Sequence, residues 1–467
     1  MMNLSYRARK AVGAASAAIV GAMMMSACDV KNELLSPQQP GVISPSDVTN
    51  ATAAEALYAG ALARWKSSMN GGNSNTEALW NWEALFTDEL RSADTFSQRN
   101  DADQRNLATN DGVLTPIYQA VMQTRGRARD AINALLAYDQ TAIGKRDAGE
   151  MYLTMGYIEM IMAQSFCNGI PFGETVDGAP VYGQPLTDAD ASKFAIVHLD
   201  SAMTLLTGSD AATTNIKNAV LVTKARAQAD LGDFAGAAAT VASVPTNFQY
   251  NFDYSTASTS DDNEWWTQGP SVKRYNAGDS VDIAGRIFNA IPFVSLNDPR
   301  VSVTDTKTKA EDNTSNFWQV NNWGRDDPTP LASGIDARLI EAEAKLQAGD
   351  YTGMLTILSA LRTSPQVIGV FKVAAMPAIA TTPTTKDAAI DLFFREKALW
   401  QYERGFRMDD LRRLVRQYGR TQDKVFPAGN FTRNGTPSGV FGTQVAFPVP
   451  DNEKINPNFH GCIDTNA

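Results

Sequence analysis

The chain has 467 residues, 43% of them hydrophobic and 20% charged, an ordinary globular composition with room for up to about three domains. Its 41 Lys and Arg stand against 51 Asp and Glu, a net charge of -10. That disfavours nucleic acid as a partner, because each phosphate contact wants a cation. Two His and three Cys are too few for a multi-histidine metal centre, a zinc ribbon or a disulfide-dense scaffold, so neither metal nor cofactor is expected.

The N-terminus has the grammar of an export signal. Arg7, Arg9 and Lys10 precede an uncharged run from Ala11 to Ala27, rich in Ala, Gly and Met. The run is short and weakly apolar for a membrane-spanning helix. It ends in Met25-Ser26-Ala27-Cys28, which resembles a bacterial lipobox, with Cys28 as the residue that would be acylated. An ordinary signal peptide with a chance Cys is the alternative. Residues 1–28 are therefore read as the signal. Residues 29–50, with Pro37, Pro40 and Pro45 among polar residues, read as a flexible tether. Lipid on Cys28 would hold the body, residues 51–467, at a membrane without a spanning helix.

Helical periods follow. Leu57, Tyr58, Ala61, Leu62 and Trp65 put one stripe on a helix near Ala51–Lys66. Ile117, Val121, Ala128, Ile132 and Leu135 do so near Pro116–Tyr138, where Arg125, Arg127 and Arg129 interrupt the stripe and should meet solvent or acidic partners. Ala148 to Phe166 is apolar on most sides, and a further helix is expected near Ala189–Leu206. Two segments then share a turn: an Ala-rich helix, Gly232-Asp233 or Gly349-Asp350, an aromatic, and a second helix. Gly ends the first helix and Asp caps the second. Each looks like a tetratricopeptide helix pair, although the copies are not tandem.

Residues 247–327 have another texture, polar and irregular, with Tyr250, Tyr254, Trp265, Trp266, Tyr275, Phe317, Trp318 and Trp323. So many aromatics argue for an ordered, working surface. Sugar faces pack on flat rings and sugar hydroxyls take amide and carboxylate hydrogen bonds. Two clusters fit that chemistry. One is Trp80, Asn81 and Trp82, followed by Asp88, Arg91, Asp94, Gln98 and Arg99. The other is Trp265, Trp266, Trp318, Asn321, Asn322 and Trp323. Trp80 and Trp82 could equally anchor a core.

No catalytic constellation is evident: no His-Glu-x-x-His, nucleophile elbow or phosphate-cradling loop. His198 is spaced to pack against Phe194, and His460 has no evident partner. The Asp101–Asn106 stretch lacks the Gly and the Glu of a calcium loop. An α/α-barrel glycosidase would want a full set of helical pairs. Cys167 and Cys462 are either a disulfide or two isolated thiols.

At the C-terminal third, Phe394-Arg395-Glu396 precedes Glu403-Arg404-Gly405-Phe406-Arg407-Met408-Asp409-Asp410-Leu411-Arg412-Arg413. We read these residues as one helix, with Arg407–Asp410 and Asp409–Arg413 pairing along it, in a structural role. The stretch resembles the Glu-Gly-x-Arg-x-x-Asp-Leu-x-Arg segment of SusD/RagB nutrient-uptake lipoproteins, with Arg404 as a departure. Phe447-Pro448-Val449-Pro450 through Asn456-Pro457-Asn458, Asp298-Pro299-Arg300-Val301 and Ala337-Arg338-Leu339-Ile340-Glu341 are similar to other family stretches in the same order. The resemblance implies a mostly α fold, with tetratricopeptide-like helix pairs and a loop-rich, irregular ligand-binding half. The helical scaffold would span 51–245 and 335–420, the aromatic insertion 247–327, and an extended segment 421–467. It further implies a non-catalytic, lipid-anchored protein on the outer face of the outer membrane. Such a protein would capture oligosaccharide or peptide and deliver it to a SusC-like TonB-dependent transporter. A membrane-anchored helical-repeat adaptor that binds peptides is the competing function.

Overall fold

The computed structural model describes residues 47–71, 78–176 and 179–467. The export signal, Cys28 and tether residues 29–46 lie outside the described residues. The helices of seven residues or more are α1 (Ala51–Asn70), α2 (Leu79–Phe86), α3 (Ser97–Asp103), α4 (Leu114–Tyr138), α5 (Ala142–Ser165), α6 (Asp188–Leu205), α7 (Ala211–Asp230), α8 (Phe234–Val241), α9 (Gly334–Gln347), α10 (Tyr351–Thr363), α11 (Lys386–Trp400) and α12 (Arg407–Arg416). Side chains cap many of them. Asn50 Oδ1 accepts from Ala53 N at 3.0 Å, and the Thr141 hydroxyl from Gly144 N at 3.1 Å. α1 packs on α4, α4 on α5, and α5 on α6. α5 is buried along most of its length, as the nearly continuous apolar stretch of its second half requires. Arg125 turns inward from α4, and its Nε donates to Glu159 of α5 at 2.7 Å.

The two helix pairs form at the expected turns. Gly232 and Gly349 take positive φ, +80° and +73°. Asp233 and Asp350 cap the helices that follow, through Gly236 N and Gly353 N. α7 packs on α8, α8 on α9, and α9 on α10. The pairs are separated in sequence but adjacent in space, so the insertion leaves and re-enters one continuous helical stack. Its two ends are stitched by antiparallel pairing of Gln249–Phe252 with Thr329–Ser333, where Phe252 faces Thr329. The fold is mostly α, with a loop-rich half built on short ladders.

The C-terminal motif corrects the expectation of a single helix. α11 ends at Trp400, α12 starts at Arg407, and the break holds Glu403 and Gly405 at positive φ, 56° and 69°. A side chain at Gly405 would place Cβ 2.2 Å from Trp80 Cδ1, so the indole occupies the space that any other residue needs. The two pairings expected along the helix are replaced by others, most of them between elements. Arg407 grips Asp88 with Nε at 2.6 Å and Nη2 at 2.8 Å. Lys397 pairs with Asp410, Arg413 with Glu343, and Arg416 with Asp409. Arg404 holds Asp336 through Nη1 at 3.1 Å and Nη2 at 2.7 Å. Burial pushes the Asp336 carboxyl up, but the Arg404 guanidinium and the bonds around it hold it below its ordinary value. Arg412 binds the carbonyls of Ala163, Gln164 and Phe166, which the buried C-terminal end of α5 leaves without intrahelical partners. Such pairs add little net stability but leave one register open to the helices.

The final segment runs extended against this core. Phe447 bridges to Phe166 in parallel, and its carbonyl accepts from Cys167 N at 2.8 Å. Cys167 and Cys462 are joined as a disulfide across 295 residues.

Candidate functional site

The expectation that Trp80, Asn81 and Trp82 form a ligand surface is corrected by their burial. All three lie on α2 at 0% exposure, packed at the centre of the main core. Trp80 Nε1 donates to the Tyr157 hydroxyl at 3.1 Å, and Asn81 Nδ2 faces Asn70 Oδ1 at 3.5 Å. Their neighbours Asp88, Asp94 and Arg99 are buried too. Most of the insertion's aromatics follow the same rule. Trp265 and Trp323 are each 4% exposed, Tyr275 and Phe317 are buried, and so is Asn322, bonded to Ser302 N and Arg300 O. An irregular segment has no helix-wide stripe to bury, so its aromatics become its core. Trp266 is half-buried beneath Arg325, whose guanidinium lies 5.5 Å from the ring centroid. Asn321 is exposed and bonded to Ser302 and Thr304.

Trp318 is the exception that matters. It lies on the strand β-segment Asn316–Val320, where alternation sends Phe317 into a small core with Ala93 and Ala310 and turns Trp318 the other way. There it lines a cleft of about 450 Å³. The opposite wall is the ladder of Leu90–Ser92 with Tyr275–Ala277, which sets Arg91 directly against Asn276. Asn276 joins the walls: its Oδ1 accepts from Trp318 N at 2.9 Å, and its Nδ2 donates to Asn316 O at 3.0 Å. The cleft thus brings Arg91 from the first expected cluster and Trp318 from the second into one site, and leaves the other candidates outside it.

The remaining lining was missed in the sequence. It includes Asp279, Val281, Asp282 and Ile283 beyond the ladder, Lys309 and Thr314 on the hairpin, and Thr432 from the C-terminal segment. Polar residues in loops carry no period, so only Asn276-Ala277-Gly278-Asp279 offered a cue, as a turn signal. Gly278 has a steric duty. Its N–H donates to Glu89 O at 2.9 Å, and a Cβ there would lie 2.1 Å from Asp88 O. Asp88, gripped by Arg407, also accepts from Ile291 N at 2.7 Å. The buried Arg407–Asp88 pair therefore holds the backbone behind the cleft.

The electrostatics are self-contained. Arg91 Nε lies 2.9 Å from Asp103 Oδ1, and Arg91 Nη1 lies 2.9 Å from Asp282 Oδ2. Burial pushes Asp103 up to about 6 against the pull of Arg91. His198 sits elsewhere, with Nδ1 2.6 Å from Glu159 and the ring against Phe194. Among the described residues no group of three or more His, Cys, Asp or Glu is placed to hold a metal ion. No described helix is long and apolar enough to cross a membrane. The arrangement offers one ring, amides, hydroxyls and paired charges, which suits binding.

Neither a protein-family model nor any curated protein matches the chain. Solved structures do. A SusD-like protein from Bacteroides fragilis superposes with a TM-score of 0.63 at 12% identity, covering 90% of this chain and 98% of that one. A surface glycan-binding protein from Bacteroides uniformis gives 0.61 at 12% identity over 87% and 99%. A laminarin-binding SusD-like protein gives 0.60 at 14% identity over 89% and 99%.

Proposed function

We propose that this chain, whose fold is that of the SusD-like proteins, is a glycan-binding surface lipoprotein that captures oligosaccharide for uptake. The fold upholds the SusD/RagB resemblance read from the sequence motifs, and glycan binding is what two of the similar structures are named for. The observation that carries the reading is the cleft: a single part-exposed Trp facing amide and hydroxyl side chains in about 450 Å³. Rings take the apolar face of a sugar while amides orient its hydroxyls. Acylation at Cys28 would tether the body to the outer membrane, and delivery to a SusC-like TonB-dependent transporter completes the proposed role. A peptide remains within the same chemistry, and a glycan array beside a peptide library separates the two.

The test is titration of oligosaccharides into the protein lacking residues 1–28. Binding that Trp318→Ala abolishes supports the reading, and binding untouched by that change refutes the site. Co-purification of a large β-barrel with the acylated protein, lost in Cys28→Ala, supports the transporter partnership. A C28A protein that still fractionates with membranes counts against the anchor.

A further inference from the structure

One rim of the cleft is the strand Val281–Asp282, and that strand is also the edge of a four-stranded sheet. The sheet continues through Gly285–Phe288 and Ala428–Arg433 to Thr436–Val440. Alternation gives it two unlike faces. Ile287, Phe431 and Phe441 turn inward and form a small core. Val281 stands directly opposite Arg286, and Phe288 follows Arg286 by two residues, so these three side chains share the outer face. Val281 thus belongs to both surfaces: it lines the cleft and begins the outer face.

That face is open to solvent. Val281 is 62% exposed and Phe288 is 50% exposed. The exposed Arg286 guanidinium lies 5.2 Å from the Phe288 ring centroid, and among the described residues it meets no carboxylate. Gly429 on the neighbouring strand, at φ +96°, leaves room for the ring: a Cβ there would lie 2.8 Å from Phe288 Cδ2 and 2.7 Å from Arg286 O. A half-exposed ring beside a free fork of N–H donors is the chemistry a sugar unit needs, an apolar face to pack on and donors for its oxygens. Strand spacing and rise put Phe288 about 8 Å from Val281, further along the same surface. One ring and one Arg are far from the roughly 20–30 residues a side of a stable protein interface. Given the glycan reading proposed above, we infer that the site extends beyond the cleft to a second subsite at Phe288 and Arg286, which holds later units of the sugar chain whose first units lie at Trp318. A chain held at Trp318 presents those units at high effective concentration, so the subsite adds affinity only for chains long enough to span both.

The experiment titrates malto-, manno- and laminari-oligosaccharides of two to eight units calorimetrically into the protein lacking residues 1–28. In the series that binds, the longest chains should bind at least about tenfold more tightly than the shortest that bind at all. Phe288→Ala should erase that gain and leave the short chains at their original affinity, with the thermal midpoint held. Arg286→Ala should weaken the long chains by about threefold to tenfold and the short ones not at all. Trp318→Ala should remove both. Affinity that is flat with length, or a length gain that survives Phe288→Ala, overturns the second subsite while leaving the glycan reading of the cleft standing. A Phe288→Ala protein that keeps the length gain but loses self-association in sedimentation reassigns the face to a protein contact. Binding of none of the three series, with peptides bound instead, overturns both.

Discussion

In the helical half, apolar residues recur every three or four positions, and helices such as α4 and α5 bury the stripes they spell. In the insertion between Gln249 and Ser333 no such period exists, yet Trp265, Tyr275, Phe317 and Trp323 are all buried. The cleft there is lined mostly by polar and charged side chains with a few aliphatic ones, and Trp318 is the one ring in its lining. Aromatic density in a loop region thus marks where its core is, and the ring that strand alternation leaves outside, Trp318, carries the proposed binding surface. The same residue type does opposite work on α2 and on the Trp318 strand, because one is enclosed by packed helices and the other faces a cleft.

Substituting one Trp from each region sharpens the contrast most. Trp80→Ala should cost about 3–5 kcal/mol of stability, since it empties a fully enclosed site. Trp318→Ala should cost under about 1 kcal/mol but remove ligand binding, because its ring is only partly covered. Thermal melts and titration read the two effects. Equal destabilisation by both would break the comparison. Arg407→Ala should approach the Trp80 value, about 3–5 kcal/mol, because Asp88 would be left buried without its cation. It should also loosen the backbone behind the cleft, a change visible as faster amide exchange around Gly278.

Reducing the Cys167–Cys462 bridge, or Cys167→Ser, should lower stability by about 2–4 kcal/mol, from the large loop it closes. The effect belongs to the scaffold and should leave glycan affinity unchanged. A smaller effect comes from pH. Burial pushes Glu83 up to about 8, while Ser165 donates to its carboxyl and opposes the rise; Glu403, buried beside Trp323, is also pushed up to about 8. These carboxyls hold more protons in the folded than the unfolded state between pH ~4.5 and ~8, so stability is greatest below that window. It should fall as pH rises through it, lowering the thermal midpoint by several degrees. Glu83→Gln should flatten that slope, and a midpoint that climbs from pH 5 to 8 would contradict it.

Much of the frame was legible from residues alone. The helices expected near 51–66, 116–138, 148–166 and 189–206, and both Gly-Asp turns, follow from period and cap, which act within a few residues of chain. The motif at 394–413 was legible as structural but not as broken. Trp80 lies more than 300 positions away from Gly405, and nothing local says that its indole would fill the turn.

Local spacing and the chemistry of its turns therefore determined that this chain makes helix pairs around a polar insertion. Only the folded arrangement decided that the two pairs stack as neighbours and that Arg407 reaches Asp88 rather than Asp410. It also decided that Arg91 and Trp318, distant in sequence, share one cleft. The reason is range: a helix is decided by bonds four residues long, whereas burial and charge pairing are decided by whichever distant segment occupies the adjoining space.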